Sequence, residues 1–101
     1  MFTVYILKLQ GGRYYIGKST NPRKKYYEHI QGQASVWTQK YKPIGIEQLI
    51  ASLSDFDEDI YVKEYMLKYG IDKVRGGTFE STYLSDYQLY ILYHDIQFKK
   101  N

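Results

Sequence analysis

The sequence predicts one α/β (α+β) domain over residues 1–101, an antiparallel sheet flanked by helices. Three observations predict it. Two β-rich runs, Phe2–Leu9 and Arg13–Lys18, flank a Gly11-Gly12 turn signal. Three further stretches open on helix-start signals, at Asn21-Pro22, Ser54 and Ser85. The composition, 44% hydrophobic and 25% charged in 101 residues, suits one hydrophobic core but not two.

The same composition narrows the function classes. A net charge of +3 and a pI near 9.0 permit a nucleic-acid partner, because phosphate attracts Lys and Arg, without requiring one. Thirteen tyrosines could stack on bases, and a coding bias toward Tyr, Ile and Lys would give the same count. With no cysteine there is neither a disulfide framework nor a thiolate metal site, which suits a reducing, intracellular compartment. No apolar run approaches the ~20 residues that span a bilayer. Met1-Phe2-Thr3-Val4 lacks the layout of a signal peptide. No membrane association is expected.

Along the chain, Phe2–Leu9 is apolar on both faces, as a strand covered on both sides should be. The register of the hairpin decides where its tyrosines point. A two-residue Gly11-Gly12 loop pairs Lys8 with Tyr15 and sends Tyr5 and Tyr15 to opposite faces. A three-residue loop, with Gly12 left-handed, pairs Leu7 with Tyr15 and Tyr5 with Gly17. Only the second register lets both hydroxyls reach one site, and it is the one expected. Asn21 then caps a helix with Pro22 in its first position, running through His29 and Ile30 to a stop at Gly32. Ala34–Lys40 reads as a short helical piece that Pro43 ends. Ile44–Leu53 fits a strand and a helical stripe equally well. Ser54 with Asp57 resembles a capping box for a helix that stops at Gly70. Ile71–Tyr83 reads as loop, and Ser85 with Gln88 caps a last helix carrying Leu89, Leu92, Tyr93 and Ile96 on one stripe. Lys99-Lys100 is expected to fray.

Few residues stand out as carriers of chemistry. Lys25 and His29 lie one helical turn apart and share a face, a candidate anion-binding edge behind the hairpin. On the helix after Ser54, Val62, Tyr65 and Tyr69 fall within about 40° of Glu58, so this carboxylate interrupts an apolar stripe. Such a carboxylate is costly unless paired or metal-bound. It also sits in the first turn, where the helix dipole alone favours an acid. Glu64 falls about 120° away beside Asp57 and Lys68, on a solvated stripe, and is the runner-up metal ligand. Gly11-Gly12 precedes a strand rather than a helix, so it is a turn and not a phosphate cradle.

Four runs together resemble the GIY-YIG nuclease family. Val4-Tyr5-Ile6 and Tyr15-Ile16-Gly17 match the two halves of its name. Gly32-Gln33-Ala34-Ser35-Val36-Trp37-Thr38 followed by Lys42-Pro43 is similar to a run in its small single-domain and structure-selective branches. Lys68-Tyr69-Gly70 leading to Val74-Arg75-Gly76-Gly77 is similar to the signature of one subgroup found in bacteria and large DNA viruses. Each run is weak alone, and their order over about three quarters of the chain is what carries the resemblance.

The resemblance implies that Ile44–Leu53 is a strand, completing a three-stranded antiparallel sheet flanked by helices. It implies metal-dependent hydrolysis of a DNA phosphodiester, with DNA repair or recombination as the setting and a protein partner as one source of specificity. Tyr5, Tyr15, Lys25, His29 and Glu58 would converge. Glu58 would hold one divalent cation, Mg2+ or Mn2+, which prefers hard oxygen ligands. Tyr5 would take a proton from water, helped by His29, and Tyr15 would position that water. Lys18, Arg23, Trp37 and Arg75 would contact DNA. One departure matters: the family arginine, ten residues after Tyr15, is Lys25 here. Lysine keeps the charge but loses the planar fork that grips phosphate twice. Either Lys25 serves in its place, or Arg23 reaches in, or the chain binds DNA without cutting. A plain interaction domain that touches no nucleic acid is the third hypothesis.

Overall fold

The computed structural model describes residues 1–100, with side chains described for residues 1–96. The fraying expected of Lys99-Lys100 lies outside the residues so described. The chain forms β1 (Thr3–Leu9), β2 (Arg13–Ser19), α1 (Pro22–Ile30), α2 (Val36–Lys40), β3 (Pro43–Ala51) and α3 (Asp57–Tyr69). A single 3-10 turn (Ile71–Lys73) leads into β4 (Val74–Gly76), and α4 (Asp86–Lys100) ends the described chain.

The sheet corrects one expectation. It has four strands in the order β3-β1-β2-β4, not three, and it is mixed: β4 runs parallel to β2 while the other pairs are antiparallel. Three residues are too few to show a strand's alternation, and the Gly76-Gly77 pair that follows reads as a turn. What makes the strand is close backbone approach. A Cβ on Gly76 would collide with the Ile16 carbonyl, so only glycine allows this pairing. The helix α3 carries the chain across the sheet from the β3 edge to the β4 edge, packing on β2 and β4.

The ambiguous stretch is strand β3, antiparallel to β1 with register shifts at Ile6/Leu7 and Lys8/Leu9. Of the residues that would make a helical stripe there, Ile46, Leu49 and Leu53 are exposed, while half-buried Ile50 packs on the core. Because β1 lies second from the edge and is covered on both faces, it divides the core in two. Val4, Ile6, Tyr14 and Ile16 face Val62 and Met66 of α3 and Leu92 and Ile96 of α4. Tyr5, Leu7, Leu9 and Tyr15 face Trp37 of α2.

The caps follow the sequence with one difference. Asn21 accepts from the Lys24 amide at 3.2 Å, and Ser35 from the Trp37 amide at 3.1 Å. Ser85 and Gln88 bond reciprocally, at 3.0 and 3.1 Å. At α3, however, Ser54 Oγ accepts from Phe56 rather than from Asp57, and the Asp57 carboxylate reaches back to the Leu53 and Ser54 amides. The helix therefore begins at Asp57, after a tight turn. Among the described residues, no helix is long and apolar enough to cross a membrane.

Candidate functional site

The hairpin adopts the three-residue register. Gly11 and Gly12 have φ of 76° and 70°, Leu7 pairs with Tyr15, and Tyr5 pairs with Gly17. Tyr5 and Tyr15 consequently stand on one face, their ring centroids 6.3 Å apart. The Tyr5 ring crosses directly over Gly17, where a Cβ would overlap its hydroxyl end. Glycine at this position is what allows the phenol to lie across the strand.

The helices α1 and α2 supply the partner of Tyr5. His29 is 1% exposed, with its ring 5.7 Å from that of Tyr5 and 4.6 Å from that of Tyr15. With the Thr38 hydroxyl donating to the Ser35 carbonyl at 3.3 Å, its oxygen is placed to accept from His29 Nδ1–H at 2.8 Å. This network assigns the tautomer. Nε2 keeps its lone pair and accepts the Tyr5 hydroxyl proton at 3.0 Å. Burial, aided by the nearby Lys25 charge, lowers the His29 pKa to about 4, so the ring is neutral at pH 7.

A second hydrogen bond holds the other tyrosine. The Tyr15 hydroxyl donates to Glu80 Oε1 at 2.8 Å. Burial chiefly raises the pKa of both phenols, and the negative charges of Glu58 and Glu80 add to it. Glu58, in the first turn of α3, is half-buried, and burial raises its pKa against the opposing pull of Lys18. The Asp59 and Glu80 charges push it further the same way. Tyr5, Tyr15, His29, Glu58 and Glu80 thus form one electrostatically connected group, with Lys18 and Lys25 at its rim.

The expected DNA-contacting residues divide. Lys18 is half-buried near Glu58, and Lys25 is half-buried in an ion pair with Glu28 at 3.3 Å. Arg23 is exposed and lines a surface groove of about 590 Å³ with Asn21, Lys24, Tyr27 and Glu28. Trp37 and Arg75 are not on the surface at all, at 3% and 6% exposure. Trp37 donates its indole N–H to the Tyr14 carbonyl at 3.0 Å. Arg75 lies over the Trp37 ring and donates to the carbonyls of Ile71, Val74, Ser81 and Thr82 at 2.5–3.1 Å. Its donors serve the fold, which leaves no free fork for a phosphate. Glu64 is exposed.

Sequence reading misses Glu80 and Thr38. Glu80 sits in a stretch with no periodicity, and its partner is 65 residues away. Thr38 is visible in the Trp37-Thr38 run, but only the packing of α1 on α2 shows that its oxygen sets the histidine tautomer.

The donor set suits a hard cation only if a ligand completes it. The described hydrogen bonds and ion pairs leave the Glu58 carboxylate without a direct partner. Among the described residues, no group of three or more His, Asp or Glu side chains could hold a metal ion. One carboxylate backed by the Glu80 charge, completed by phosphate oxygens and water, is a coordination that Mg2+ accepts and softer ions do not favour. In comparison with known proteins, no family model matches the chain, and neither a curated protein nor a solved structure matches it.

Proposed function

We propose that this chain is a DNA endonuclease with a GIY-YIG-type site, hydrolysing phosphodiester bonds with the help of one divalent cation, Mg2+ or Mn2+. The observation that carries this reading is the Tyr5–His29 pair, in which the neutral histidine presents an acceptor nitrogen to a phenol at 3.0 Å. The four sequence runs of the GIY-YIG resemblance support it.

As a mechanism, the Tyr5 hydroxyl passes its proton to His29 Nε2 while the phenol oxygen takes a proton from the attacking water. The water oxygen bonds to phosphorus as the bond to the 3′ oxygen breaks. The 3′ oxyanion takes a proton from solvent and protonated His29 releases one to solvent, which resets the Tyr5–His29 pair. A phenol with a raised pKa gives up its proton reluctantly, and a histidine near pKa 4 accepts one reluctantly. A scissile phosphate at this site offsets the Lys25 charge that disfavours the protonated form of His29, making the relay easier when DNA is bound. Tyr15 holds the water, and Lys25 stabilises charge on the phosphoryl oxygens. A cation held by Glu58 would supply Lewis acidity toward the phosphoryl group and the leaving oxygen.

One observation favours a second reading, a DNA-binding module that does not cut. Lys25 replaces the family arginine and is tied to Glu28 rather than free. Incubation with flap, branched and plasmid DNA, with and without magnesium, separates the readings. Magnesium-dependent nicking supports the nuclease. Salt-sensitive binding without nicking supports the module, and absence of binding at low salt defeats both.

A further inference from the structure

The proton of the Tyr15 hydroxyl is already committed, and the way it is committed gives Glu80 a role. Tyr5 and Tyr15 stand side by side, and each donates its single proton outward: Tyr5 to His29 Nε2 at 3.0 Å, Tyr15 to Glu80 Oε1 at 2.8 Å. Both phenol oxygens are left as acceptors. We infer that Glu80 is a positioning residue of the site, fixing the Tyr15 hydroxyl so that its oxygen lone pairs, not its proton, meet the attacking water.

The loop that presents Glu80 is built to hold it still. On one side of it, Gly76 and Phe79 exchange backbone hydrogen bonds at 3.0 and 2.8 Å. The Thr78 amide and hydroxyl both donate to Asp59 of α3, at 2.8 and 2.6 Å. On the other side, buried Arg75 binds the carbonyls of Ser81 and Thr82, the two residues that follow Glu80. Phe79 beside it is 5% exposed and anchored in the core. An otherwise solvated glutamate thus sits on three fixed points within seven residues of chain. Lone-pair presentation needs this anchoring, because a phenol O–H otherwise rotates to suit whatever approaches.

This inference rests on the nuclease reading for its catalytic consequence, so its test has one arm independent of cleavage. In the full chain with tyrosine labelled at 13Cζ, the Tyr15 resonance is assigned by its loss in Tyr15→Phe. Glu80→Ala is expected to move that resonance at pH 7, while Glu80→Gln, whose amide oxygen still accepts, leaves it near its wild-type position. On DNA, Glu80→Ala should lower kcat about 10–100-fold with KM changed less than about twofold, and Glu80→Gln should restore much of the loss. An unmoved Tyr15 resonance in Glu80→Ala overturns the inference. Equal loss in both variants, accompanied by a higher magnesium requirement, also overturns it, since Glu80 would then be a metal ligand. A fall in Tm that accounts for the kcat loss reduces Glu80 to a structural role and overturns it too. If the wild type cuts nothing, the nuclease reading fails, and the resonance alone decides whether Glu80 fixes Tyr15.

Discussion

His29 is neutral because burial, chiefly, and the nearby Lys25 charge outweigh the opposing pull of Glu28, while Nε2 accepts from Tyr5. Its folded pKa of about 4 lies below the ordinary value of 6.5, so between those values the unfolded chain binds more protons. The resulting stability is complete above about pH 6.5 and is lost as pH falls toward 4. Roughly 3 kcal/mol is at stake. Urea unfolding at pH 7 and pH 4.5 should show that loss in the wild type and much less of it in His29→Asn; equal losses would sink the assignment. Gly17 makes the complementary demand, because Tyr5 lies across it. Gly17→Ala should displace the phenol, costing about 1–3 kcal/mol from overpacking and most of any cleavage. Wild-type stability and activity in that variant would mean that Tyr5 need not lie where it does. Both residues were legible in the sequence as members of a pattern, whereas Thr38 and Glu80 were not. A tautomer and a hydroxyl rotor are set by partners that sequence spacing does not bring together.

At the level of elements, the α1 and α4 caps could be read ahead because each is decided by a side chain a few positions away. Gly11-Gly12, by contrast, allows two hairpin registers, and only the need for Tyr5 and Tyr15 to share a face selects the three-residue one. The strand β4 could not be read ahead, because its pairing is decided by Gly76 meeting the backbone of Ile16. Arg75 shows the same limit. The resemblance makes Arg75 a DNA contact, yet it spends its donors on four carbonyls and stacks on Trp37. Arg75→Ala should therefore act as a stability lesion, of about 3 kcal/mol or more, since buried carbonyls lose their partners and a cavity opens beside Trp37. Chemical denaturation checks the magnitude. A DNA-binding lesion with unchanged stability would reverse the assignment. Arg75→Lys should rescue little, because one ammonium cannot reach carbonyls spread around a planar fork.

Across the whole molecule, the cations and the tyrosine site are neighbours but not the same place. Arg23 and Lys24 open onto an exposed groove along α1, while Lys25, two residues from Arg23, lies close enough to act on His29. The net charge of +3 makes only a weak overall field, so on the proposed reading DNA affinity comes from this local row. Composition could suggest a nucleic-acid partner, but only the helix in place shows which cations line the groove and which one acts on the site. Arg23→Ala should weaken DNA binding and lower the slope of log K against log salt by about one, with kcat changed little. Lys25→Ala should leave most of the binding and lower cleavage about 10²–10³-fold, the cost of one well-placed charge-stabilising donor. Lys25→Arg should raise the rate, because a fork holds two phosphate oxygens where an ammonium holds one. Binding isotherms at several salt concentrations, beside single-turnover cleavage, separate the two effects. If Arg23→Ala abolishes cutting while Lys25→Ala spares it, then Arg23 reaches the phosphate from the groove, and the ion pair of Lys25 with Glu28 is its only task.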